Sequence, residues 1–131
     1  MLLLFNHSLT DDQKKDAIEN LGIHEFVVLP DNLRKKWKNV PPNNQKISRY
    51  LEPFRRWVKK NSSRNDYILI QGDFGAVYSM VNYSFLLDLI PVYATTQRDV
   101  VETKSSSSMI RTERKFKHVF YRRYERGVSG E

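Results

Sequence analysis

The stretch Tyr67-Ile68-Leu69-Ile70-Gln71-Gly72-Asp73-Phe74-Gly75-Ala76 decides the fold of this chain. Its first half is a short apolar run, typical of a strand that is buried on both faces. Its second half is a turn with two glycines, and an apolar segment of helical length follows from about Ala76 to Asp88. The stretch therefore predicts a strand that turns directly into a helix.

Similar units lie on both sides of this stretch. Thr10 and Gln13 form the pattern of a helix-starting capping box, and Gly22 is a natural helix end. Three further buried strands are predicted, at residues 2–5, 26–29 and 90–94. Strands that alternate with helices predict an α/β fold with a mainly parallel sheet, flanked by helices and joined by right-handed crossovers.

Two regions add other elements. Apolar residues recur at helical spacing from Ile47 to Val58, with basic residues between them, so we expect an amphipathic helix that Pro53 kinks or breaks. The C-terminal part predicts a charged β-hairpin, with strands at 100–103 and 109–124 around a turn at Ser105–Ser108. We expect a single domain over residues 1–126 and a disordered tail over 127–131.

The composition excludes several classes of protein and of functional site. The 131 residues carry a net charge of +7 and contain no cysteine, which excludes disulfide scaffolds, Cys-ligated zinc and thiol nucleophiles. Residues 31–64 hold eleven basic and two acidic side chains. This excess indicates either an anionic partner or simply a solvated basic face. The apolar start at Met1–Phe5 is too short for a membrane span and lacks a basic flank, so we expect a soluble cytoplasmic protein without membrane contact.

Ligands of open parallel sheets bind beyond the carboxyl ends of the strands. This rule selects three segments, at residues 6–8, 71–75 and 95–98. The glycines of Gly72-Asp73-Phe74-Gly75 permit close approach of backbone N–H groups to a phosphate. Asp73 has two interpretations: it caps the helix, or it binds or deprotonates a ribose hydroxyl.

Besides Asp73, three side chains are candidates for catalysis. His7 follows a buried strand and could transfer protons near neutral pH, although an inconsequential loop histidine is equally common. His118 could approach an anion from a hairpin strand, or it could be an ordinary exposed strand residue. Arg98, after two threonines, could stabilise a phosphate or could be a surface arginine.

Several segments together resemble a known family. They are Leu4–Thr10, Glu25–Pro30, Ile70–Ala76, Thr95–Arg98 and Phe116–Val119. In this order they are similar to a small CRISPR-associated family encoded beside type III systems, over nearly the whole chain. The resemblance implies a Rossmann-like fold and a ring nuclease or binder of cyclic oligoadenylate, typically cyclic tetra-adenylate.

The first hypothesis is therefore a metal-independent ring nuclease without cofactors that forms a homodimer around its symmetric ligand. Its catalytic residues are expected to be His7, Asp73, Arg98 and His118. The expected ligand-binding residues are Asn6, Ser8, Gln71, Gly72, Phe74, Gly75, Thr95, Thr96, Gln97 and Lys117. One alternative is a non-catalytic sensor or sponge for the same ligand. The other is a basic protein that binds RNA through the helix near residues 46–60, and stable DNA binding is not expected.

Overall fold

A computed structural model describes residues 1–104 and 110–127 of the chain, with side chains for all of these except 100–104 and 111–114. The predicted turn at Ser105–Ser108 and residues 128–131 of the predicted tail lie outside the described residues. The strands and helices, in chain order, are β1 Leu2–Leu4, α1 Asp11–Leu21, β2 Val27–Val28, α2 Asp31–Lys38, α3 Ser48–Asn61, β3 Tyr67–Ile70, α4 Phe74–Leu86, β4 Ile90–Lys104 and β5 Ile110–Arg123.

The five strands form one sheet in the order β2-β1-β3-β4-β5. The first four are parallel to one another, and β5 is antiparallel to β4. Helix α1 packs on one face of this sheet, where Ala17 joins Leu3 and Leu69 in a buried cluster. Helices α2, α3 and α4 cover the other face. The α/β fold predicted from the sequence, with a mainly parallel sheet and a C-terminal hairpin, is confirmed.

The ends of α1 follow the predicted pattern. Thr10 and Gln13 exchange hydrogen bonds as a capping box, and Gly22 ends the helix in the left-handed conformation. Ile18 of this helix is apolar and nevertheless 53% exposed. Within α1 only Ala17 is fully enclosed, in the cluster that it forms with residues of β1, β3, β4 and β5.

Helix α3 runs without interruption through Pro53. A proline inside a helix removes one backbone hydrogen bond. Here the apolar side of the helix packs fully, with Leu51, Phe54 and Val58 all completely buried. Of the kink or break expected at Pro53, the break is wrong, because burial of this face outweighs one missing bond. Among the helices of the described part of the chain, none is long and apolar enough to cross a membrane.

Strand β4 is much longer than predicted. It pairs with β3 only over Ile90–Val92, and then continues to Lys104 paired with β5 alone. We call the part beyond β3 the ribbon (residues 95–104 and 110–120). Residues 95–98 therefore lie inside a strand, and the loop expected there is wrong. No apolar run is required at this point, because pairing with β5 sustains the strand beyond β3.

Candidate functional site

The sheet has a topological switch point between β1 and β3. These strands are parallel neighbours, with Leu4 opposite Ile70 at their carboxyl ends. The chain leaves β1 toward α1 on one face and leaves β3 toward α4 on the other. Such a divergence opens a crevice beyond the strand ends, where open α/β sheets bind their ligands. The two switch-point loops are residues 6–8 and 71–73.

Arg34 of α2 supports the first loop. Its Nε donates to the carbonyl oxygen of Asn6 at 3.0 Å, and its Nη2 lies 3.4 Å from the Ser8 hydroxyl oxygen. His7 is exposed between them, and its ring stands edge-on to Phe5 with the ring centroids 5.4 Å apart. The guanidinium therefore holds the loop in place while the imidazole stays open to a ligand.

The second loop is fixed by Gln71 and Trp37. The indole Nε1 of Trp37 donates to the Gln71 carbonyl oxygen at 2.8 Å, and the Gln71 side-chain oxygen accepts from the backbone N–H of Ala94 at 2.8 Å. Gly72 passes so close to Trp37 that a Cβ there would lie 2.8 Å from Nε1. This position requires glycine for close approach. Gln71 is consequently occupied in joining β3 to β4.

Asp73 caps helix α4. Its side-chain Oδ2 accepts from the backbone N–H of Ala76 at 3.0 Å, and its carbonyl oxygen accepts from Val77. The capping interpretation of Asp73 is thus confirmed, and its ribose contact stays a prediction. The N–H groups of Phe74 and Gly75, the first two in α4, have no helical carbonyl to bond by position. Both residues are exposed, so these amides can meet an anion.

The candidates on β4 lie along the ribbon. The Thr95 hydroxyl bonds the backbone of Phe120 at a β-bulge between Ala94 and Thr96. The guanidinium of Arg98 stacks over the ring of Phe116, 5.3 Å from its centroid. Both positions are set by the ribbon and not by a loop at the strand end.

Two further ribbon pairs carry predicted ligand contacts. Gln97 lies opposite Lys117 in the strand register, and its amide donates to Asp99 at 3.2 Å. Thr96 lies opposite His118. Binding roles for all of these ribbon residues stay predictions, and they require a ligand that reaches beyond the switch point.

His118 is hydrogen-bonded to α1. Its Nε2 lies 2.7 Å from Oδ2 of Asp16, with only 6% of the histidine side chain exposed. Oδ1 of the same carboxylate accepts from Asn20 at 2.6 Å. The exposed-strand interpretation of His118 is wrong, because the pair anchors β5 to α1. A free proton carrier needs access to the ligand, which makes His7 the better placed histidine.

Helix α2 places three cations beside the first loop. A cavity of about 260 Å³ is lined by Asn6, Asp31, Arg34, Lys35 and Lys38. Three cations here outnumber one carboxylate, so the cavity favours an anion. Sequence reasoning missed Arg34, although the local signal was present: it lies within the basic run that follows Pro30.

Tyr124 lies beneath the second loop. Its hydroxyl donates to the carbonyl oxygen of Ile70 at 2.7 Å. Burial, with a smaller effect of Tyr93, raises the pKa of Tyr124 to about 12. The hydroxyl therefore stays a protonated donor at neutral pH and holds the end of β3.

No group of three or more histidine and carboxylate side chains able to hold a metal ion occurs within the described ranges.

Comparison with known proteins gives a family without an assigned activity. The model of the "Uncharacterized protein MJ1673 family" matches residues 1–122. The chain is 48% identical over 124 residues to "Uncharacterized protein MJ1673" of Methanocaldococcus jannaschii, which covers 95% of each chain. No solved structure matches the chain.

Proposed function

We propose that this chain, which belongs to the MJ1673 family, binds cyclic oligoadenylate in the cytoplasm and opens its ring. The ligand that we propose in particular is cyclic tetra-adenylate. One observation carries the proposal. At the switch point, the loop after β1 exposes His7 beside Arg34, and the neighbouring loop after β3 leads into α4, whose first amides are exposed. This set suits a phosphodiester, because it combines fixed positive charge with oriented N–H donors.

The reaction needs no group beyond the ligand and these side chains. A ribose 2′-hydroxyl attacks the adjacent phosphorus, the bond to the 5′-oxygen breaks, and a 2′,3′-cyclic phosphate remains. Arg34 and the amides of Phe74 and Gly75 stabilise the charge that develops on the phosphate oxygens. His7 takes the hydroxyl proton and then gives it to the departing 5′-oxygen, which leaves the imidazole neutral again.

The exposed face of α4 supports a homodimer. The helix contains no charged residue, and it exposes 95% of Phe74, 72% of Tyr78 and 81% of Leu86. Such a face is expected to be covered by protein. A second copy is the occupant we propose, because Phe74 starts α4 directly after the Gly72 turn. Packing across this face would bring two switch points to one two-fold ligand.

Light scattering tests the dimer. The wild-type protein should have twice the 15.5 kDa mass of one chain at micromolar concentration. Tyr78→Lys should give monomers, since a charge in the interface is unpaired, whereas Ile18→Lys on the exposed side of α1 should leave the dimer intact. A monomeric wild-type protein with full activity would refute this part of the proposal.

Chromatography of the products separates a nuclease from a sponge. Protein incubated with cyclic tetra-adenylate in EDTA should yield linear products that end in a 2′,3′-cyclic phosphate. Binding without any product after prolonged incubation would favour the non-catalytic sensor or sponge. His7→Ala serves as the matched variant, because it removes the proton carrier and leaves Arg34 in place.

The RNA-binding alternative concerns helix α3. Its exposed cations include Arg56 and Lys59, but Glu52 pairs with Arg55 and Arg56, at 2.8 and 3.6 Å respectively. This pairing reduces the positive charge that α3 presents. Binding of linear RNA with a steep salt dependence, abolished by Lys59→Ala and unaffected by Arg34→Ala, would favour this alternative.

A further inference from the structure

A second cavity adjoins the switch point on the face of the sheet that carries α1. It has a volume of about 290 Å³ and lies between β1, β2 and α1. Its walls are apolar and include Phe5, Leu9, Phe26 and Val28. Small-molecule sites are typically concave and mostly apolar, with a few polar groups at the rim, and this volume is near their lower limit.

The rim of this cavity carries the polar groups of the first switch-point loop. His7, Lys14 and Arg34 all line it. Arg34 lines the cationic cavity on the α2 side as well. One guanidinium therefore separates an apolar cavity from a cationic one, and it is held by the Asn6 carbonyl oxygen.

We infer that the two cavities together bind a nucleotide, with the base in the apolar cavity and its phosphate on the α2 side of Arg34. A nucleotide is a planar, largely apolar ring joined through a ribose to an anion, and this is the order of surfaces that Arg34 divides. Aromatic side chains such as Phe5 and Phe26 offer faces on which a base stacks. An uncharged aliphatic ligand would not use the adjoining cationic surface.

This inference deepens the proposed function and rests on it for the identity of the base. A cyclic oligoadenylate places an adenine beside every phosphate. The apolar cavity would receive one adenine while the neighbouring phosphate lies at the switch point. His7, edge-on to Phe5 at the cavity mouth, would then stand between base and phosphate, close to the ribose.

Titrations with AMP, ribose 5-phosphate and inorganic phosphate test the inference. AMP should bind roughly 10- to 100-fold more tightly than ribose 5-phosphate, because only AMP has a base to stack. Arg34→Ala should weaken all three probes. Equal affinity of the wild-type protein for AMP and ribose 5-phosphate would overturn the inference.

Two variants locate the base. Val28→Trp adds bulk at a cavity wall where the side chain is 57% exposed, and Phe26→Ala removes a stacking ring. Both should lose the preference for AMP while ribose 5-phosphate binds as before. Ile18→Trp, at an exposed position of α1 outside the cavity, should behave like the wild type. Retention of the full preference in both cavity variants would overturn the inference.

Nuclear Overhauser contacts in the wild-type protein give the same answer without any substitution. Adenine protons of bound AMP should contact the ring protons of Phe5 or Phe26, and contacts to other aromatic rings alone would contradict the placement. AMP binding in the cavity without binding of cyclic tetra-adenylate would refute the proposed function and leave the nucleotide site standing. If Val28→Trp, Phe26→Ala and the wild type bind cyclic tetra-adenylate equally well, the base site is refuted and the proposed function stands.

Discussion

Replacing Gly72 by alanine tests the architecture of the switch point. The added Cβ would lie 2.8, 3.1 and 3.3 Å from three atoms of the Trp37 indole, and Trp37 is only 2% exposed. Forcing an extra carbon into a packed interior costs about 1–3 kcal/mol. If the indole moves aside instead, its hydrogen bond to the Gln71 carbonyl oxygen is lost, at a similar cost of about 1–3 kcal/mol. By either route we expect Gly72→Ala to lower the free energy of unfolding by about 1–3 kcal/mol.

Gly75→Ala is the matched control. Its Cβ would lie 3.5 Å from the nearest atoms of Asp73 and Ile47, which is ordinary contact. Gly75 lies in the first turn of α4, where alanine is favoured over glycine by up to about 1 kcal/mol. Chemical denaturation followed by circular dichroism should therefore show opposite shifts for the two variants.

A double-mutant cycle assigns the cost to Trp37. In a Trp37→Phe background the indole nitrogen is absent, so Gly72→Ala should lose much of its effect, with a coupling energy of about 0.5–3 kcal/mol. A Gly72→Ala protein as stable as the wild type would refute the reasoning. So would a cycle without coupling, because the cost would then arise somewhere other than the indole contact.

Four other outcomes follow from the same structure. Burial and the Asp16 carboxylate raise the pKa of Tyr121 from 10.0 to about 12. The contribution of this tyrosine to stability is therefore fully present below pH 10 and is lost as the pH rises to 12. Between pH 10 and 12 the free energy of unfolding, measured by chemical denaturation, should fall less steeply with pH for Tyr121→Phe than for the wild type. His118→Ala should lower the free energy of unfolding by about 1.5–3 kcal/mol through loss of the pair with Asp16, and its exposed neighbour Lys117→Ala should change it by less than about 0.5 kcal/mol in the same urea titration. His7→Ala should reduce turnover of cyclic tetra-adenylate by roughly 100- to 10,000-fold with binding retained, and unchanged turnover would exclude His7 as the proton carrier. Chelation by EDTA should leave the rate unchanged, whereas a loss restored by magnesium or manganese would contradict the proposed mechanism.

Local signals in the sequence were sufficient for the elements that form the switch point. The capping box at Thr10 and the glycine at position 22 gave the ends of α1, because caps act within one helical turn. The apolar run before Gln71 gave β3 and the turn after it. The rule for parallel sheets then selected residues 6–8 and 71–75, which form the switch point, but also residues 95–98, which lie in the ribbon.

Contacts between residues far apart in the chain could not be predicted from the sequence. The pair of Asp16 and His118 spans 102 positions, and no periodicity connects an acidic helix residue to a strand residue at that distance. The contact between Arg34 and the Asn6 carbonyl oxygen likewise depends on how α2 packs. The extent of β4 was missed for another reason: pairing with β5, and not burial, sustains the ribbon.

The central claim is that the switch point binds cyclic oligoadenylate through Arg34. Isothermal titration of cyclic tetra-adenylate into wild-type protein, Arg34→Ala and Lys59→Ala tests it most directly. Removal of a charge-assisted contact costs about 1.5–3 kcal/mol, which is roughly a 10- to 150-fold loss of affinity. We predict that loss for Arg34→Ala and wild-type affinity for Lys59→Ala, whose side chain lies on the exposed side of α3. Wild-type protein that binds no cyclic tetra-adenylate, or two variants that bind it equally well, would contradict the claim.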